Sequence, residues 1–388
     1  MSQIRRIPIG KLQLGMYVSD LTPGIEDGQL RARGFIRRHE TIDKLISKGL
    51  SEIYIDIYKG IDSPYALPVD QNTAFLKPRV KLSEERLQAA KVYDEARGLV
   101  SNLLRDIKLG KPINIGPVES LAEDINNSVL NNPNALLCLS AIREKDQYLL
   151  EHSINVGILM GIFSRYLGYE DNLVHQLVTG ALLHDIGKIR VPFNVLHKPG
   201  KLDETEWTEM KRHVPYGQEV LLKSQGISEI TLAICGLHHE RLNGTGYPLA
   251  LKAEDINNYG RLAAIVDVYD AITADRVYHK GRAPAEAMEF LLEIADGHLD
   301  RNLVNQFIRC MGVYPVSTLV ELDNGRAAVV ISSNHAKPHS PTVRAIYNLR
   351  QKHYEKPKDL DLSSPLIENK IVATLNPEDY DILVKDFL

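Results

Sequence analysis

The chain has 388 residues, which is enough for a large core and more than one domain. Its 44% hydrophobic and 25% charged residues are ordinary for a globular protein, and its net charge of -4 argues against a general binder of nucleic acids or anionic membranes. Three cysteines without a close pair exclude a complete disulfide framework and a Cys-x-x-Cys metal site. The N-terminus has no apolar run, and no apolar stretch reaches the length of a membrane span. With the unpaired cysteines, these observations lead us to expect a cytoplasmic protein.

Residues 1–60 are predicted to form a small α+β module. Within it, residues 52–58 alternate between apolar and polar side chains, which is typical of a strand. A short helix over residues 41–48 precedes this strand and is expected to stop at Gly49.

The next segment, residues 61–82, contains three prolines and little periodicity, so we expect a linker. Ser83 is then predicted to cap a connector helix over residues 83–118. This helix would either pack on the following domain or form a contact in a homodimer.

Residues 119–315 show an almost wholly helical pattern, and after Pro315 the pattern becomes typical of strands. Residues 316–388 are predicted to be a short β-rich appendage, with a hairpin signal at Asn324-Gly325. The protein is therefore expected to be mainly α. The strands expected in the appendage cover residues 318–322, 326–331 and 343–347.

Two short segments concentrate residues that can carry chemistry. The first is HHERLNGTGYP over residues 238–248, in which two histidines and a carboxylate lead into a glycine-rich turn. The second is LLHDIGK over residues 182–188, in which a histidine, an aspartate and a lysine follow apolar residues. The two segments together indicate a metal-dependent hydrolase with a phosphorylated substrate.

Ionisable side chains recur at inward positions of successive predicted helices in this region. Each one alone favours simple packing, but an apolar core rarely buries so many without cations that neutralise them. Seven ligands are too many for one tetrahedral ion, so we expect two ions that share a carboxylate. Nitrogen and carboxylate ligands without thiolate suit iron, manganese, cobalt, nickel or zinc. The candidate metal ligands are His152, His184, Asp185, His213, His238, His239 and Asp267.

The order of these residues resembles the HD-GYP subgroup of the HD phosphohydrolase superfamily, over about half of the chain. The resemblance implies a helical HD-type metallohydrolase bundle that hydrolyses cyclic di-GMP in bacterial signalling and favours iron or manganese. Residues 1–60 are similar to a small domain of unknown role that often precedes this subgroup, and the β-rich tail also looks like an appendage seen there. The resemblance assigns the first metal to His152, His184, Asp185 and Asp267, and the second to His213, His238 and His239, with Asp185 bridging.

The same resemblance implies roles in substrate binding and catalysis. Lys188 and Arg276 would contact the phosphate and, with Asp185, act as the catalytic residues. Gly246 and Tyr247 would lie in a loop that contacts the substrate or a diguanylate cyclase domain. Asp270 is interpreted as a residue behind the ligands or in helix packing rather than as a ligand.

Three positions depart from the pattern of the family. Tyr148 stands where members with three metals carry glutamate, which favours two metals here. Asn243 replaces an aspartate of the loop, and His279 lies at a basic position of the segment that begins at Arg276, with Lys280 beside it.

We therefore expect a phosphodiesterase that converts cyclic di-GMP to linear pGpG or GMP, with a metal-bridging hydroxide attacking phosphorus. One alternative is hydrolysis of another cyclic dinucleotide, such as cyclic GMP-AMP. Another is a non-catalytic signalling protein that binds a nucleotide or a partner, although the complete ligand set argues against it. A nucleotide phosphohydrolase of the wider superfamily would not explain the adjacent histidines and the Gly-Tyr-Pro loop.

Overall fold

The computed structural model describes residues 4–19, 34–47, 52–57, 59–61, 63, 66–68, 78–142, 148–274, 281–295, 297–334, 337 and 339–388. The chain divides into two compact units, residues 1–74 and residues 75–388.

The N-terminal unit is built on an antiparallel five-stranded sheet of order β3-β2-β4-β1-β5. Ile53 and Ile55 are separated by the half-buried Tyr54 and lie in a core with Ile7 and Met16. The predicted strand over residues 52–58 is present as β4, which ends at Asp56, and Tyr58 lies outside the described residues. The elements are β1 (Ile4–Pro8), β2 (Tyr17–Val18), β3 (Gly34–Phe35), α1 (His39–Ile46), β4 (Glu52–Asp56) and β5 (Leu67–Pro68).

The helix and the linker predicted in this part of the chain differ in outcome. The predicted helix over residues 41–48 is present as α1, but Gly49, its expected stop, lies outside the described residues. The segment predicted to be a linker contributes β5, which pairs with β1 at the edge of the sheet. A proline is tolerated in such an edge strand, because its missing N–H need not join the ladder.

The second unit is mainly helical up to residue 311. Its helices are α2 (Leu82–Lys108), α3 (Ile115–Asn131), α4 (Pro133–Ser140), α5 (Tyr148–Tyr166), α6 (Asp171–Leu183), α7 (Phe193–Leu196), α8 (Glu204–Lys211), α9 (His213–Leu222), α10 (Glu229–Leu237), α11 (Asn258–Thr273), α12 (Pro284–Ala295) and α13 (Arg301–Met311).

The predicted start and end of the connector helix were wrong. The N-cap of α2 is Lys81, which places Ser83 in the first turn rather than at the cap. The helix ends at Lys108, and Gly110 then adopts a positive φ of 78°, a backbone conformation that favours glycine. A second helix, α3, begins after this break.

Close packing between α6 and α10 places the ends of these two helices next to each other. A Cβ atom at Gly180 of α6 would lie 3.2 Å from the backbone Cα of Thr231 in α10, so the absence of a side chain at Gly180 permits this close approach. Both helices end at a predicted ligand, because His184 and His238 are their C-cap residues. The glycine thereby brings two helix ends, each with a histidine, side by side.

The C-terminal part is an antiparallel five-stranded sheet of order β10-β6-β7-β8-β9. Ala327 and Val329 on one face share the core of the helices, whereas Ala328 and Val330 face a second, smaller core. The sheet is therefore integrated into the second unit, and the hairpin predicted at Asn324-Gly325 is present. Its strands are β6 (Leu319–Leu322), β7 (Arg326–Ser332), β8 (Thr342–Asn348), β9 (His353–Asp361) and β10 (Ile371–Thr374).

The three cysteines, Cys138, Cys235 and Cys310, are buried and free. Burial raises the pKa of the Cys138 thiol to about 12 and also raises the pKa of the other two. In the described part of the chain, no helix is both long and apolar enough to cross a membrane.

Candidate metal centre

The structure brings the seven predicted metal ligands together in the interior of the helical bundle. All except His239 are almost fully buried, and the side chain of His239 is 22% exposed. The contributing positions are His152 on α5, His184 and Asp185 after α6, His213 at the start of α9, His238 and His239 after α10, and Asp267 on α11.

One group of ligands surrounds Oδ2 of Asp185. This oxygen lies 3.3 Å from Nε2 of His152 and 3.4 Å from Nε2 of His184. Oδ1 of Asp267 lies 3.0 Å and 3.6 Å from the same two nitrogen atoms. Two imidazole nitrogens and two carboxylate oxygens thus point toward one volume.

A second group surrounds the other oxygen of Asp185. Oδ1 lies 3.3 Å from Nε2 of His213 and 3.7 Å from Nε2 of His238. His239 completes the group, since candidate ligand atoms of Asp185, His213, His238 and His239 all lie within 4.8 Å of one another. Nδ1 of His239 also lies 3.5 Å from Oδ2 of Asp267, so both aspartates face both groups.

Three buried polar atoms at the centre have no hydrogen-bond partner among the described residues. They are Oδ1 of Asp185, Nε2 of His213 and Nε2 of His238. A buried polar atom without a partner carries a desolvation cost of about 1–3 kcal/mol. These atoms belong to one ligand group, so a cation would satisfy all of them together, and the donor set fits a divalent transition metal.

The far side of three of the histidine rings is held by a hydrogen bond to a backbone carbonyl. Nδ1 of His184 donates to the carbonyl of Ala181 at 2.7 Å, and Nδ1 of His213 donates to the carbonyl of Met210 at 2.7 Å. Nδ1 of His238 lies 2.9 Å from the carbonyl oxygen of Cys235. With Nδ1 held in this way, Nε2 is the nitrogen that faces the centre and would bind a metal when it carries no proton.

His152 is held differently, by a carboxylate. Its Nδ1 lies 2.7 Å from Oδ2 of Asp270, and both side chains are 1% exposed. Asp270 thus contacts the back of a candidate ligand, in the arrangement that the sequence analysis favoured for it.

Electrostatics keep the two aspartates charged. Burial alone would raise the pKa of Asp185, but the positive charges of Lys188 and His184 hold it well below its usual range. Burial would likewise raise the pKa of Asp267, but hydrogen bonds from His152 and His184 lower it. Burial lowers the pKa of His213 to about 3, so this imidazole is neutral and able to bind a metal.

The predicted phosphate-contacting residues are only partly covered by the structure. Lys188 lies on the 3₁₀ turn Ile186–Arg190, and its Nζ is 2.5 Å from Oδ2 of Asp185. The lysine side chain is 16% exposed, so it stands between the buried aspartate and solvent. Arg276, with His279 and Lys280, lies outside the described residues.

The Gly-Tyr-Pro loop covers the exposed side of the second ligand group. The ring of Tyr247 lies on that of His239, with centroids 4.6 Å apart at 34°. Gly246 lies against the preceding chain, because a Cβ there would be 2.4 Å from the backbone nitrogen of Arg241. The peptide bond between Tyr247 and Pro248 is cis.

Glu240 anchors this loop, a role that sequence reasoning missed. The buried carboxylate accepts hydrogen bonds from the backbone N–H groups of Leu249 at 2.7 Å and Leu251 at 3.0 Å. The sequence shows a carboxylate after two histidines but gives no signal for its partners, since these are backbone groups of a loop nine and eleven residues away.

Comparison with known families divides the chain into three matched regions. Residues 4–118 match a domain of unknown function, and residues 137–303 match the HD domain. Residues 319–382 match a KOW domain associated with the HD domain. The middle match contains all seven candidate ligands.

Curated relatives share the sequence over different lengths. The cyclic di-GMP phosphodiesterase PA4108 of Pseudomonas aeruginosa is 36% identical over 90% of this chain and 86% of that protein. The 3'3'-cGAMP-specific phosphodiesterase 2 of Vibrio cholerae is 32% identical over 49% of this chain and 36% of that protein. Among solved structures, the HDG"Y"P protein Bd1817 of Bdellovibrio bacteriovorus has a TM-score of 0.50 at 20% identity, over 78% of this chain and 98% of that chain, and supports the fold alone.

Proposed function

The chain belongs to the HD-GYP family of HD-domain phosphohydrolases, and from that membership we infer that it is a phosphodiesterase that hydrolyses cyclic di-GMP. The observation that carries the chemistry is that Asp185 presents one carboxylate oxygen to each of two histidine groups in a buried centre.

The length of the similarity favours cyclic di-GMP as the substrate. The Pseudomonas cyclic di-GMP phosphodiesterase aligns with 90% of the chain, and thus reaches beyond the HD domain. The cGAMP-specific relative from Vibrio aligns with only 49% of it. Cyclic GMP-AMP is therefore the competing substrate to test rather than the primary one.

We propose that the two groups hold two divalent transition metal ions, iron or manganese. Asp185 would contribute one oxygen to each ion, and the unpartnered atoms of Asp185, His213 and His238 support this placement. Neither group contains a cysteine, which agrees with a nitrogen and oxygen ligand set. When bound, such ions supply activated water and neutralise the charge of a phosphodiester.

The residues of the chain have defined tasks in this proposal. Backbone carbonyls and Asp270 would hold protons on Nδ1 in four of the five histidines, so that these four present Nε2 to the centre. His239 instead turns Nδ1 toward Asp267. Lys188 would move from Asp185 toward a non-bridging phosphate oxygen and neutralise the charge that develops there. Arg276 remains a proposed second phosphate contact, and pGpG or GMP the proposed product.

The test is turnover of cyclic di-GMP by protein purified without oxygen, with metal content measured on the same sample. Products are identified by mass spectrometry, and cyclic GMP-AMP is assayed in parallel. Asp185→Ala removes both carboxylate oxygens at the centre. Asp323→Ala changes an exposed aspartate of a C-terminal turn and is the matched control.

We expect about two ions per wild-type chain, and hydrolysis that Asp185→Ala abolishes and the control retains. A centre filled with metal but inactive on cyclic di-GMP would overturn the proposed function. Turnover of cyclic GMP-AMP under those conditions would support the competing substrate instead.

A further inference from the structure

Trp207 is the only tryptophan of the chain and lies near the exposed side of the metal centre. It is carried by α8 and is 46% exposed. The helix is fixed at its start by a capping box, in which Asp203 and Glu206 hold each other's backbone N–H groups. About half of the ring is therefore available for contact with another molecule.

Ring contacts connect Trp207 to the centre. Its ring meets that of Tyr247 with centroids 5.9 Å apart at 81°, and Tyr247 in turn lies on His239. His239 is the one candidate ligand with appreciable exposure, at 22%, so these rings follow the route from the centre to solvent. We call the pair Trp207 and Tyr247 the aromatic corner.

The geometry of the aromatic corner suits a flat ligand. The two rings are nearly perpendicular, so a planar group can lie on the face of one ring while its edge meets the other. A nucleotide whose phosphate reaches the centre must place its base outward, and bases bind proteins by stacking on aromatic side chains. Leu249, on the same loop as Tyr247, is also exposed, at 68%.

We propose that the aromatic corner binds one guanine base of the cyclic dinucleotide by stacking, with Trp207 as a substrate-positioning residue. This inference rests on the proposed function, because it assumes that the phosphodiester lies at the metal centre. Trp207 would act on binding and orientation of the substrate, not on the reacting atoms.

The first test compares two phosphodiesters, cyclic di-GMP and bis(p-nitrophenyl) phosphate. The single rings of the second substrate offer less surface for stacking on Trp207 than the fused rings of a purine base do. Trp207→Leu keeps an apolar side chain but removes the ring, whereas Trp207→Phe keeps a ring. We expect Trp207→Leu to lower the ratio of kcat/KM for the two substrates about tenfold, mainly through the KM for cyclic di-GMP, and Trp207→Phe to restore most of it.

A matched control is available in the N-terminal unit. Phe35 is 48% exposed and meets the ring of Tyr17 at 5.1 Å and 89°, so it resembles Trp207 in exposure and ring contact. Phe35→Leu should leave the ratio at its wild-type value. Equal losses for both substrates in Trp207→Leu, or equal changes of the ratio in both leucine variants, would overturn the proposal.

The second test uses the tryptophan as its own probe. A phosphorothioate analogue of cyclic di-GMP that resists hydrolysis is titrated into the metal-loaded protein, and stacking should quench the fluorescence in a saturable manner. Turnover of cyclic di-GMP without quenching, and with wild-type KM in Trp207→Leu, would refute the aromatic corner alone. Absence of both turnover and quenching, in protein that still hydrolyses bis(p-nitrophenyl) phosphate, would refute the proposed function as well.

Discussion

Substitution of Asp270 tests whether its contact with His152 strengthens metal binding at the candidate centre. The 2.7 Å contact between Oδ2 of Asp270 and Nδ1 of His152 is shielded from water, since both side chains are 1% exposed. Asp270→Asn keeps an oxygen that can accept the hydrogen bond from Nδ1 of His152 but removes the negative charge. Asp270→Ala removes the acceptor altogether.

The expected size of the effect follows from this contact. Partners behind metal-binding histidines typically contribute 10- to 100-fold in metal affinity, or about 1.4–2.7 kcal/mol. A buried hydrogen bond to a charged group contributes about 1.5–3 kcal/mol, which is the same range. We therefore expect a graded loss of affinity, about tenfold for Asp270→Asn and about hundredfold for Asp270→Ala.

The assay is a titration of metal-free protein with Mn²⁺ against a competing chelator, followed by turnover at limiting and at saturating metal. Activity of both variants should be lowest at limiting metal and recover partly at saturation. Asp300→Asn is the control, because Asp300 also accepts a hydrogen bond from a side chain, that of Arg261 at 2.8 Å, but is not among the candidate ligands. Wild-type affinity in Asp270→Ala would refute the reasoning.

Three further predictions concern the loop, the backbone packing and the ions. Glu240→Gln places an amide N–H₂ where one loop N–H needs an acceptor. The free energy of unfolding, measured by denaturant titration, should therefore fall by about 2 kcal/mol. An unchanged midpoint would contradict the anchoring role. In Gly187→Ala the new Cβ would lie 2.0 Å from a backbone oxygen of α9, so the free energy of unfolding should fall by at least about 2 kcal/mol. The control is Gly98→Ala in α2, where the new Cβ meets open space and the change should be neutral or stabilising. Removal of metal by a chelator should lower Tm by several degrees, because Asp185 and its neighbours lose their cation; a Tm indifferent to the chelator would count against a metal at this position.

The identity of the candidate site could be predicted from the sequence because its residues stand in two dense motifs. His184 and His238 both follow apolar helical segments, so their inward position could be inferred from periodicity. The sequence could not show that the two oxygens of Asp185 face different histidine groups, since this depends on how α6, α9 and α10 pack. Nor could it show that Asp267 approaches both groups.

Other elements escaped prediction for physical reasons. Strand β9 is mostly exposed and rich in charged residues, so it lacks the alternation of a half-buried strand. Ser83 is a good capping residue, but the chain enters the helix two residues earlier, at Lys81, without a side-chain cap. Trp207 lies in neither of the two motifs, and only its exposure and its contact with Tyr247 indicate a role.

The burial of Cys138, Cys235 and Cys310 has a practical consequence for redox experiments on this protein. Oxidation of a cysteine requires an accessible thiolate, and here burial denies access while the raised pKa values keep the sulfur protonated. If activity is lost in air and returns with a reductant, thiol damage is therefore not the cause. Such a cycle would report the oxidation state of the bound ion, which would distinguish iron from a metal that air leaves unchanged.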